Sequence, residues 1–217
     1  IAKSFDDNSD TWNISNNRSY SSSHSIHSTD KTNYYGNALD VIEMKNGFDF
    51  TEVINMTFAF WHWAEGDTYT INGEQQIADY GTVEMYLPIE ETWITLDSLA
   101  LTTQYYDNDW IETKFTIDET KEYDLLGDTV SGRDLLQDGN KLRCNWISDP
   151  QFQNEGWYID DISIKVCNHE YYDPIDDLIF QSQSLGPEHW CAPWNSTVER
   201  TFPIQWQATE GKYLVNV

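Results

Sequence analysis

Apolar positions along this chain recur mostly with a period of two, in short runs of β-branched and aromatic residues separated by Gly, Asn, Asp and Pro. That is the signature of strands in an all-β protein, and helical periodicity is nearly absent. The pattern predicts strands near 10–14, 19–27, 37–44, 57–64, 81–87, 92–96, 110–118, 140–148 and 157–167. The run 57–64 (TFAFWHWA) is apolar at both parities, so it is expected to be a central strand covered on both faces. The polar stretch 66–79 contains Asn72-Gly73 and reads as an exposed loop or hairpin, and 118–139 reads as an irregular connection with one helical turn. Near 168–177 Pro174 and a cluster of acids interrupt the pattern, and shorter strand-like runs follow at 178–182, 198–206 and 212–217.

The chain therefore divides into a sandwich over 1–168 and a tail over 169–217. About 40 residues are too few to close a second sandwich of about 100. The tail is accordingly expected to extend the first unit or to open a partial Ig-like domain. Its strand-like end suggests a strand that completes a neighbour's sheet, or a fragment of a longer protein.

Composition narrows the function classes. Aromatics make up 15% of the 217 residues, with 10 Trp and 13 Tyr, enough to fill a β core. Against 37 Asp and Glu stand 12 Lys and Arg, a formal charge of −25 that repels nucleic acid and anionic membranes. Such a charge favours a cation-rich exterior, and the composition suits archaeal surface proteins. No apolar run of bilayer length occurs. Four sequons, at Asn13, Asn17, Asn55 and Asn195, are candidate glycan acceptors and favour secretion.

Catalytic signals are weak. His24, His27 and His62 do not fall at a spacing that shares one ion, and His169-Glu170 lacks the second His of a zincin helix. Neither a nucleophile elbow nor a phosphate loop is present. The chain is therefore expected not to be an enzyme. Of three cysteines, Cys167 ends the last sandwich strand and Cys191 lies in the tail, so a bridge between them would pin the tail; Cys144 shares parity with Leu142 and Trp146 and reads as a buried thiol.

The most informative run is Gly156-Trp157-Tyr158-Ile159-Asp160-Asp161-Ile162. Strict alternation sets Asp160 on one face with Ile162, Ile164 and Val166. A carboxylate there needs compensation, either from a cation such as Ca²⁺ or from backbone N–H groups at the sheet rim.

Together with Phe5-Asp6-Asp7, Trp12, Ser19-Tyr20-Ser21, the 58–63 strand and Leu142-Arg143-Cys144-Asn145-Trp146, this run resembles the MAM-like jelly-roll modules. It is most similar to those accompanying immune inhibitor A-type secreted metallopeptidases and prokaryotic surface proteins. The resemblance covers about 4–167. It implies a jelly-roll whose first and last strands lie side by side, with a structural Ca²⁺ held by Asp6 and Asp7 and by Asp160 and Asp161.

The resulting expectation is an all-β jelly-roll sandwich with a C-terminal β extension, secreted or cell-surface, binding calcium for stability. It would serve adhesion or assembly of a surface layer, sheath or filament, with other copies or neighbouring surface proteins as partners. The alternative is a carbohydrate-binding module of a larger secreted enzyme, gripping polysaccharide through Tyr105, Tyr106, Trp110, Trp190 and Trp194.

Overall fold

The computed structural model describes residues 12–21, 23–72, 74–99, 109–125, 128–169, 195–198, 205–208 and 214–216. Two antiparallel sheets carry the protein. The first is ordered β1 (Asn13–Ser15), β2 (Ser25–His27), β13 (Gly156–His169), β4 (Val53–Glu65) and β9 (Ile111–Asp118), with β14 (Asn195–Val198) pairing on β13. The second runs β16 (Leu214–Asn216), β15 (Gln205–Ala208), β3 (Leu39–Met44), β12 (Lys141–Ile147), β7 (Tyr80–Leu87) and β8 (Thr92–Leu99). Strands of the tail thus pair with both sheets: β14 joins β13, and β15 joins β3.

The alternation that marked the strands is what builds the core. Along β4, Met56, Phe58, Phe60, His62 and Ala64 point inward and are buried. All of these but His62 meet Ile42, Met44, Val83, Met85, Leu142, Cys144 and Trp146 of the second sheet in one cluster. Trp157 lies across the gap, where a Cβ on Gly81 would come within 2.9 Å of its ring. That close approach is the reason a glycine suits this point of β7. Four Trp (Trp12, Trp63, Trp146 and Trp157) are fully buried.

Two hairpins stand off the sheets. The polar 66–79 stretch forms β5 (Thr68–Ile71) and β6 (Glu74–Ile77), with Asn72 at φ 54° as its turn requires. The 118–139 connection is more regular than its sequence suggests. It holds the hairpin β10 (Glu122–Leu125) and β11 (Asp128–Ser131), and then one turn of helix, α1 (Gly132–Leu135). Ser131 caps that turn through its hydroxyl, which accepts the N–H of Asp134 at 3.2 Å.

Candidate functional site

The closing run Gly156 to Ile162 forms the centre of the first sheet, between β2 and β4. Gly156 takes φ +89°, and a Cβ there would fall 2.6 Å from Ser28 Oγ. Further along, strict alternation breaks. Asp160 pairs with Trp61, but Ser163 pairs with Ala59, so one extra residue sits in β13 at Asp161, whose φ is +47°. This β-bulge shifts the parity of the strand. Trp157, Ile159, Ile162, Ile164 and Val166 face the core, whereas Tyr158, Asp160, Ser163 and Lys165 face outward. Asp160 therefore does not share the apolar face, contrary to the alternation argument. An Asp tolerates the left-handed conformation better than a β-branched residue would, which is how the bulge is accommodated.

On this outer face Asp160 and Asp161 hold the segment that precedes β2. Asp160 Oδ2 accepts the N–H of Tyr20 at 2.7 Å and of Ser21 at 3.4 Å, and its Oδ1 accepts the N–H of Asp161 at 2.8 Å. The Ser21 hydroxyl donates to Asp161 Oδ1 at 2.5 Å. Both carboxylates thus converge on Ser21, and neither forms an ion pair with Lys or Arg among the described residues. A carboxylate offers about four acceptor positions. Asp160 uses three and Asp161 one, so oxygen lone pairs remain for a hard cation. Among the described residues no group of three or more His, Cys, Asp or Glu side chains gathers that could hold a metal ion; Asp6 and Asp7 lie outside the described residues.

The same segment lays an aromatic and cationic cover over Trp61 and Trp63 on the outer face. Tyr20 stacks on Trp61 at 3.9 Å and 8°, with Trp110 tilted 6.2 Å away. The Arg18 guanidinium sits 3.7 Å over the Trp63 ring and grips Glu155 with two bonds of 2.6 and 2.7 Å. That grip holds the Glu155 carboxyl below its ordinary range. Beside it, His27 stacks on Tyr158 at 3.8 Å and its Nε2 lies 2.7 Å from the Glu155 carbonyl oxygen. Burial lowers the His27 pKa to about 4.

Between β9 and β13 lies a trough of about 130 Å³, lined by Asn55, Thr57, Ala59, Glu112, Lys114, Ser163, Lys165, Val166 and the disulfide-bonded Cys167. Glu112 pairs with Lys114 at 2.7 Å. Strand β4 forms the trough's axis and is hydrogen-bonded on both sides, to β13 and β9. No sequence signal announced this site, because its residues come from three strands and meet only through register.

A buried carboxylate forms a separate node. Asp79 accepts from the Tyr34 hydroxyl, from the Asp67 N–H at 2.8 Å and from the Asp149 N–H at 2.8 Å. Burial raises its pKa despite these three donors. It ties together three connections at one end of the sandwich.

The remaining sequence candidates distribute as follows. Asn13 and Asn17 are exposed, Asn55 is half-buried on the outer face, and Asn195 opens β14 opposite His169. Cys144 is a buried free thiol, its pKa pushed up by burial, and Cys167 is disulfide-bonded. Cys191, Tyr105, Tyr106, Trp190 and Trp194 lie outside the described residues. His24 is exposed, whereas His27 and His62 are buried. No family model matches this chain, and a search among curated proteins finds no match to it.

Proposed function

We propose that this chain is an extracellular, non-enzymatic structural or adhesion module of the MAM-like jelly-roll kind, stabilised by calcium. The observation that carries this reading is the convergence of Asp160 and Asp161 on Ser21, with no cationic side chain paired to either among the described residues. Two carboxylates placed together repel each other unless a cation or several donors compensate them. Calcium bound by Asp160 and Asp161, with Asp6 and Asp7 closing the shell, would clasp the opening segment to the last strand of the sandwich.

Two further features support the setting. A disulfide at Cys167 is typical of oxidising compartments outside the cytosol. The formal charge of −25 makes self-association dependent on cations, so divalent ions would let copies of the chain, or neighbouring surface proteins, pack into a layer, sheath or filament. The pairing of β2, the second described strand, with β13, the last strand of the predicted sandwich region, supports the jelly-roll reading.

The test is assembly. The purified chain is expected to form ordered assemblies in calcium that dissolve on adding chelator. A protein that stays monomeric at all calcium concentrations, or that hydrolyses a substrate, would contradict the reading.

A further inference from the structure

Strand β9 ends the first sheet: β4 pairs with it on one side, and no described strand pairs with it on the other. We propose that this edge pairs antiparallel with the β9 of a second copy of the chain, in the register that sets Thr113 opposite Thr113. The inference rests on the reading that copies associate, and it assigns the surface through which two of them do so.

The backbone decides which residues can meet. At the end of β9 the Glu119 N–H donates to the Ile54 carbonyl oxygen at 2.9 Å, whereas the Asp118 N–H turns the other way and donates to the Tyr123 hydroxyl at 2.7 Å. The β4–β9 ladder is regular from Ile111 to Asp118, so the N–H and C=O groups of Glu112, Lys114 and Thr116 also point away from β4. Asp118 itself is closed, because Tyr123 takes its N–H and a Cβ on Gly132 would fall 1.9 Å from its carbonyl oxygen. The open part of the edge is thus Glu112 to Thr116.

Charge then selects the register. A new antiparallel ladder can set only residues of this parity in hydrogen-bonded pairs. Centred on Glu112 or on Lys114, two copies would place like charges directly opposite, which destabilises a sheet. Centred on Phe115 or Thr116, they would call on Asp118, which is closed. Centred on Thr113, each Glu112 faces Lys114 of the other copy. Both side chains are exposed and already lie 2.7 Å apart within one chain, so the four charges alternate in sign around the axis. On the inner face the same register sets the half-buried Ile111 against the half-buried Phe115 and covers apolar surface at the margin of the sheet. The general repulsion between molecules of formal charge −25 is screened over about 8 Å at physiological salt, while these pairs act in contact. An isolated lysine on an edge strand discourages pairing with other chains. A lysine two residues from a glutamate makes the edge complementary to itself.

The test is sedimentation velocity of the full chain in chelator at physiological salt, together with two charge variants. A reversible dimer of the parent is expected at about 0.1 mM, since a strand-to-strand contact lies at the small, weak end of protein interfaces. Glu112→Lys and Lys114→Glu each set like charges opposite and should weaken the dimer about tenfold or more. Mixed in equal amounts, the two variants should pair with each other about as well as the parent pairs with itself, which also reports that both are folded. A monomeric parent, a dimer indifferent to both variants, or variants that lose pairing and do not regain it on mixing would each overturn the proposal. Repeating the runs in calcium separates the two claims. A parent that dimerises in chelator but forms nothing larger in calcium upholds the β9 pairing and contradicts calcium-driven assembly; calcium assemblies built from a chain that is monomeric in chelator do the reverse.

Discussion

Asp160 accepts the backbone N–H of Tyr20 at 2.7 Å across 140 positions of sequence, and the ring of that same Tyr20 stacks on Trp61, the cross-strand partner of Asp160. One contact therefore fixes both the opening segment and the aromatic stack on Trp61. Asp160→Asn keeps one acceptor oxygen and loses the charge. A cost of about 1–3 kcal/mol is expected from leaving backbone donors poorly paired, read as a lower midpoint in urea. An unchanged midpoint would mean that the segment is held by Arg18 and Tyr20 alone.

The bulge gives a conformational test. Asp161 at φ +47° can be replaced by Gly with little strain, whereas Val there combines a β-branched side chain with a left-handed backbone. Asp161→Val is expected to be less stable than Asp161→Gly by about 1–2 kcal/mol. Equal stability of the two would argue that the extra residue of β13 sits elsewhere.

Acid sensitivity follows from the two buried histidines. Burial lowers the pKa of both His27 and His62 to about 4, from an ordinary value of 6.5. The unfolded chain therefore binds protons that the native one refuses between these limits. Their neutral burial is without penalty above pH 6.5, and stability falls as pH drops toward about 4, by at most about 3 kcal/mol for each histidine. Asp79 acts in the opposite sense, because its raised pKa lets the native state take up a proton more readily. Denaturation midpoints compared at pH 7 and pH 4.5 should show a net loss on acidification that shrinks in His62→Leu. A variant with the parent's full acid loss would show that other groups carry the effect.

Removing the phenol that caps Asp79 isolates the buried node. Tyr34→Phe leaves the Asp79 carboxylate with two backbone donors and no hydroxyl. The expected cost is about 1–3 kcal/mol at neutral pH. It should shrink at acid pH, where a protonated Asp79 demands less compensation. A cost independent of pH would assign the loss to packing against Trp146 instead.

Much of the fold was legible because period-two alternation is written into residues such as Met56, Phe58 and Phe60, whose burial follows directly from it. Two things were not. The bulge at Asp161 falls where apolar parity passes from Trp157 and Ile159 to Ile162, Ile164 and Val166, and carrying strict alternation through it put Asp160 on the wrong face. The β10–β11 hairpin was read as irregular because its half-exposed strands carry acids and few β-branched residues. For the site, Asp160 and Asp161 stood out in sequence, yet their partners Tyr20 and Ser21 were visible only through the fold. Lys114 and Lys165 meet across Thr57 and Ala59 purely by register between β9, β4 and β13.

Thermal melting during a calcium titration tests the clasp most directly. Calcium saturating a site made by Asp160 and Asp161 is expected to raise the melting temperature by about 5–10 °C at a hundredfold excess over its Kd, and Asp160→Asn should abolish that rise. A melting temperature that does not move at millimolar calcium, or one that rises equally in the parent and in Asp160→Asn, would contradict it.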